Sequence, residues 1–181
     1  AVMPDGTIWF SDSSRVWPIE EWKNDLIEHT CTGRLLRRSP DGEVTTVLDR
    51  LCFANGVALT AEMDAVLVAE TGTRTIRRVA LGADGSPRAT TTWVEDLPGH
   101  PDNISLGSDG LVWVTIASPT DPALRVLQRS PAAVRGLVRR APERFKPTPK
   151  RTARVMALDS EGRMVHDLAF DATHWHLATG V

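Results

Sequence analysis

No apolar run in this 181-residue chain approaches the roughly 18 residues that a membrane-crossing helix needs, so no transmembrane segment is expected. A signal-peptide pattern is also missing. The chain opens on "AVMPDG", in mid-pattern, so the expectation is that its true N-terminus lies upstream, and localisation stays open. Charge of one sign is not in excess: 21 Lys and Arg face 23 Asp and Glu, for a net charge of −2. That balance gives no pull toward nucleic acid or an acidic membrane. Cysteine is scarce. Cys31 and Cys52 are too few for a disulfide framework, and both are expected as free thiols. Gly-rich phosphate loops, CxxC pairs and GxSxG elbows are absent, which removes the commonest nucleotide, redox and serine-hydrolase signatures.

What is present is a run of short strand-like segments: "TIWFSD", "RLLRRS", "EVTTVL", "AVLVAE", "TIRRVAL", "LVWVTI" and "ARVMALD". Acid-Gly turns separate them, at Asp5-Gly6, Asp41-Gly42, Asp84-Gly85 and Asp109-Gly110. Asp before Gly supplies the positive φ of a tight hairpin. Many short strands at this spacing read as an all-β sandwich, barrel or propeller, and repetition decides among them. "NGVALTAEMDAVLVAETGTRTIRRVALGADG" aligns with "DNISLGSDGLVWVTIASPT…ARVMALDSEG". The opening "PDGTIWFSDSS…GRLLRRSPDGEVTTVL" is the same unit without its first strand, and "ATGV" at 178–181 restarts it. Four strands in about 45 residues mark a β-propeller blade; a β-meander with chance similarity is the alternative. Residues 1–181 therefore read as one partial propeller domain. Two segments break the period. Residues 18–29 read as a short amphipathic helix with Ile19, Trp22, Leu26 and Ile27 on one face. Residues 121–151 read as a basic insertion of helical turns interrupted by Pro131, packed over one propeller face or acting as a lid.

These stretches resemble the calcium-dependent six-bladed propellers: the senescence-marker, gluconolactonase and luciferin-regenerating group, the strictosidine-synthase-like proteins and, more distantly, the paraoxonases. The likeness is carried by "GRLLRRSPDGEVTTVLDRLCFANGVALTAEMDAVLVAETGTRTIRRVAL", "DLPGHPDNISLGSDGLVWV" and "HWHLATGV". It is nearest to strictosidine-synthase-like proteins, through F-x-N-G-V-A-L and L-P-G-x-P-D-N-I. Six blades of about 45 residues need roughly 270, so the resemblance implies a fragment of about three and a half blades, truncated at both ends. Such a half-ring would leave blade edges open for self-association.

In a propeller the innermost strand of each blade lines the central tunnel and the turn leading into it sits at the tunnel mouth, so equivalent positions in successive blades converge, and Asn55 and Asp102 are expected in such turns. Asn55 and Asp102 are equivalent by the repeat. Amide and carboxylate oxygens suit a hard cation such as Ca²⁺ or another divalent ion. The resemblance implies the same pair as calcium ligands, joined in paraoxonase-like members by the following Asn, here Asn103. His174 and His176 stand two residues apart, which on a strand puts them on one face; the other reading is a hydrogen-bonded, half-exposed pair. Strictosidine synthase carries its catalytic glutamate in this region, and the matching position here is His176, which cannot reproduce a carboxylate's role. Three readings of function follow. The first is a calcium-dependent hydrolase of lactones or related esters, with Asp102 or His176 taking a proton from water. The second is a non-catalytic propeller that binds a ligand or partner. The third is an amine–aldehyde condensing lyase with a carboxylate base and no metal. The expected partner in the enzymatic readings is a small-molecule substrate.

Overall fold

The computed structural model describes residues 1–170, 172–173 and 179–180. Eleven strands among them form three antiparallel sheets. The first holds β1 (Ile8–Asp12), β2 (Gly33–Arg38) and β3 (Val44–Leu51). The second runs in order through β4 (Ala54–Leu59), β5 (Ala65–Glu70), β6 (Thr75–Leu81) and β7 (Pro87–Val94). The third runs through β8 (Gly99–Leu106), β9 (Val112–Pro119), β10 (Ala153–Leu158) and β11 (Met164–Phe170). This is the up-and-down meander of propeller blades. The first blade is more complete than its sequence implied. Ala1 and Trp9 exchange backbone hydrogen bonds of 2.8 Å, and Val2 bridges Ile8, so residues 1–3 lie where an innermost strand belongs.

The acid-Gly turns take the geometry their composition demands. Gly6, Gly42, Gly85 and Gly110 have φ of 90°, 97°, 69° and 78°, a region closed to most other residues. Packing follows from strand composition. β5 reads "AVLVAE" without alternation because both of its faces are covered, and all six of its residues are buried. Val66 and Val68 point into a core shared with Trp9, Leu35 and Leu51 of the first sheet. Leu67 and Ala69 point the other way, into a core shared with Ile104, Val114, Ile116, Met156 and Leu158 of the third. The middle sheet is thus clamped between its neighbours.

Both segments that break the repeat carry helices. A 3₁₀ turn (Ile19–Glu21) leads into α1 (Trp22–Glu28). The later segment holds α2 (Pro122–Gln128), α3 (Ala132–Arg140) and a 3₁₀ turn (Glu143–Phe145). Pro122 sits at the first position of α2, and the Asp121 carboxylate accepts from the Ala123 amide at 2.8 Å, so both entry signals act together. Leu124 and Leu127 are buried, whereas Val126 and Leu137 face solvent. The two segments are joined. Gln128 Nε2 donates to the Leu26 carbonyl at 3.0 Å, Arg139 pairs with Glu28, and the Arg139 guanidinium lies 5.0 Å from the centre of the Trp17 ring.

One expectation is overturned. Cys31 and Cys52 are not free thiols but a disulfide. Sequence spacing gave no sign of it, because the two sulfurs meet only after α1 turns the chain back against the junction of β3 and β4. Among the described residues no helix is long and apolar enough to cross a membrane.

Candidate active site

The site is built on two matching irregularities. Along β4, Ala54 pairs with Glu70 and Val57 with Val68, so one extra residue is inserted at Asn55-Gly56. Along β8, Pro101 pairs with Ile116 and Ile104 with Val114, so the same insertion falls at Asp102-Asn103. These are β-bulges, which bend a strand and re-aim a side chain. Asn55 and Asp102 therefore stand within the innermost strands, not in the turns before them, and they occupy the same bulge position in consecutive blades. Close approach of the two strands depends on Gly56. A Cβ there would lie 2.3 Å from the Ile104 nitrogen and 2.6 Å from Asn103 Cα.

The bulges bring Asn55 and Asp102 together. The Asn55 side chain hydrogen-bonds the Asp102 carboxylate, and its Nδ2 also donates to Thr71 Oγ1 at 3.2 Å. Burial pushes the Asp102 carboxyl above the ordinary aspartate range, and the Asn55 hydrogen bond offsets only part of that. Among the described residues no charged neighbour contributes to holding this carboxylate ionised. Thr71 is the junction of the site. Its hydroxyl donates to the Pro101 carbonyl at 2.7 Å, tying the end of β5 to β8.

Thr71 also fixes a residue that the motif reading left as an unspecified position, His100. The Thr71 carbonyl lies 2.8 Å from His100 Nδ1. A carbonyl only accepts, so Nδ1 carries the proton and Nε2 keeps its lone pair. Nε2 is buried and has no hydrogen-bond partner among the described residues. Burial first, and then the charge of Arg74, holds the His100 pKa below the ordinary histidine range, although the Thr71 hydrogen bond works against this. The signal for His100 was available. It stands two residues before Asp102, the same spacing that singled out His174 and His176.

These groups open into a cavity of about 430 Å³. Asn55, Thr71, His100, Asp102 and Thr179 supply polar lining. Its apolar walls include Trp22, Leu26, Phe53 and Leu124, so α1 and α2 roof a cavity whose polar groups come from the innermost strands. Asn103 is placed differently. It is exposed, is not among the lining residues, and donates from Nδ2 to the Thr179 carbonyl. His174 and His176 lie outside the described residues.

Asn55 Oδ1 and the Asp102 carboxylate are hard oxygen donors, and a half-buried carboxylate paired with no cation among the described residues is a fitting ligand for a divalent ion. They supply part of the roughly 6–8 oxygens that Ca²⁺ takes. The donor set fits a hard cation and does not favour a thiophilic one.

Residues 1–84 match the family model described as strictosidine synthase. Adipocyte plasma membrane-associated protein of Salmo salar is 38% identical over 119 residues, covering 65% of this chain and 28% of that protein. Among solved structures, the calcium-binding protein regucalcin of Agrobacterium tumefaciens superposes with a TM-score of 0.59 at 14% identity, over 92% of this chain and 42% of that one. A gluconolactonase of Xanthomonas campestris gives a TM-score of 0.59 at 18% identity, over 94% of this chain and 46% of that one. The chain spans less than half the length of the curated relatives it matches.

Proposed function

Starting from a chain whose sequence relatives and structural neighbours lie in the propeller superfamily of strictosidine-synthase-like proteins and gluconolactonases, we propose a calcium-dependent hydrolase of lactones or related esters. The observation that carries the reading is the pair of equivalent bulges, which aim an amide and a half-buried carboxylate, unpaired with any cation among the described residues, at one another on the floor of a largely apolar cavity. The names of the calcium-binding and gluconolactonase neighbours support it. Asn55 and Asp102 would hold the ion; Asn103, exposed and outside the cavity lining, would join them only by leaving the Thr179 carbonyl. When bound, the cation supplies polarisation of the substrate carbonyl and stabilisation of the oxyanion that develops on it.

The chain's own groups do the rest. Trp22, Leu26, Phe53 and Leu124 bind the apolar body of the substrate and exclude bulk water. A proton from the attacking water goes to a carboxylate oxygen of Asp102 or, where the ring is uncovered, to Nε2 of His100; both residues line the cavity. Thr71 is a positioning residue: its carbonyl keeps His100 in the tautomer whose Nε2 can accept.

The test is a calcium titration of wild type and Asp102→Asn, following hydrolysis of γ- and δ-lactones alongside direct calcium binding by calorimetry. Wild type should lose activity in chelator and regain it with calcium. Asp102→Asn should bind calcium more weakly, and at saturating ion should still turn over about 10²–10⁴-fold more slowly. Full recovery at saturating calcium would make Asp102 a ligand only and His100 the base. Lactone turnover that ignores the chelator would sink the metal-dependent reading. Calcium binding with no turnover on any lactone or ester would favour a non-catalytic binding protein.

A further inference from the structure

His29, Cys31 and Cys52 form a cluster that the cavity chemistry does not use. An imidazole nitrogen and both sulfurs lie within 4.8 Å of one another. The backbone takes an uncommon path to bring them there. His29, at the end of α1, has φ of 52°, and Cys31 has φ of 47°, two left-handed non-glycine residues within three positions. Buried acid lies beside the cluster. Asp25 and Glu70 are 2% and 4% exposed, and both act electrostatically on His29, as does the Arg135 cation in the opposite sense. Glu70 Oε1 accepts from the Cys52 amide at 2.8 Å, and its nearest cationic partner, Arg77, is 3.9 Å away. One nitrogen, two sulfurs and nearby negative charge are the donor chemistry of a thiophilic dication.

We propose that, once the disulfide is reduced, His29, Cys31 and Cys52 hold one divalent cation of the zinc class. A tetrahedral zinc with Zn–S near 2.3 Å and Zn–N near 2.0–2.1 Å keeps its donors about 3.3–3.8 Å apart, inside the span the cluster already has. The sulfurs need only separate by about 2 Å, which side-chain rotation supplies. The reductant is a dithiol. It gives two electrons and two protons to the disulfide and is itself oxidised to a disulfide. The two thiols then lose their protons to solvent as the cation binds, and water fills the fourth position. The inference does not rest on the hydrolase reading, because a sulfur-rich site and an oxygen-rich one select different ions.

The test uses Co²⁺ as probe. The protein is reduced with excess dithiol, freed of it anaerobically, titrated with Co²⁺, and then challenged with Zn²⁺. Thiolate-to-cobalt charge-transfer absorption should saturate at one ion per chain, vanish on adding Zn²⁺, and be absent from the oxidised protein and from Cys31→Ser. His29→Ala should bind Co²⁺ at least roughly tenfold more weakly. A reduced protein that keeps its circular dichroism yet shows no such band overturns the proposal, as does an undiminished affinity in His29→Ala. If reduction unfolds the chain, it is repeated with Zn²⁺ present. Retention of the fold at one ion per chain supports the site, and failure to retain it overturns it.

Discussion

Asp102 is held where an ionised carboxylate is disfavoured. A carboxyl group whose pKa is higher in the folded than in the unfolded chain binds its proton more tightly in the fold. The fold therefore loses stability as pH rises from about 4, the unfolded value, through the raised folded one, and stays less stable above it. His100 has the opposite sense. Its folded pKa is depressed, so its contribution is present above about pH 6.5 and is lost as pH falls from there through the folded value. In chelator, Asp102→Asn should raise Tm by a few degrees at pH 7 and leave it unchanged near pH 3, below both aspartate values. Thermal melts across that range check this, and a lower Tm at pH 7 would mean that the carboxylate stabilises the empty site. At this scale the sequence was informative where the repeat spoke. Asn55 and Asp102 were found because they recur at one position of the unit. His100 was passed over because the motif left its position open. The cysteine pair was misread because only tertiary structure brings its sulfurs together.

At the scale of elements, β5 and β11 are opposites. Every residue of β5 is buried and every residue of β11 is exposed, although both strands are rich in apolar side chains. The difference is position within the unit: second strand against outermost. Leu67→Ala in β5 should cost about 2–5 kcal/mol, while Phe170→Ala in β11 should stay within about 0.5 kcal/mol, both read from urea unfolding. Equal costs would mean that the outer strand is covered in solution. The strands and their acid-Gly hairpins were legible because alternation, β-branched residues and Asp-Gly pairs are local signals. The bulges were not. A single inserted residue leaves no mark in one strand's composition and shows only against its partner's register, so Asn55 and Asp102 were expected in turns. Helices in both interrupting segments were foreseen, yet their union through Arg139 and Glu28 was not, because it links residues 111 positions apart.

For the whole molecule, the third sheet leaves Leu106, Met164, Val165, Leu168 and Phe170 exposed. Apolar side chains on a sheet that no layer covers among the described residues invite a second copy. Sedimentation velocity should show the apparent mass of the 181-residue chain rising with concentration, and Leu168→Lys with Phe170→Lys should suppress the rise. A monomer at all concentrations would show that this surface is tolerated in water. The propeller architecture was legible as a repeat. The cavity was not, because its enclosure comes from outside the repeat. That origin has a consequence of its own. The polar floor is encoded by positions that recur from blade to blade, while much of the wall is encoded by two inserted segments held together by a handful of side-chain contacts. The two can change at different rates. An ancestor could exchange its inserts and so reshape the cavity without disturbing the strands beneath it, and a designer could do the same by grafting.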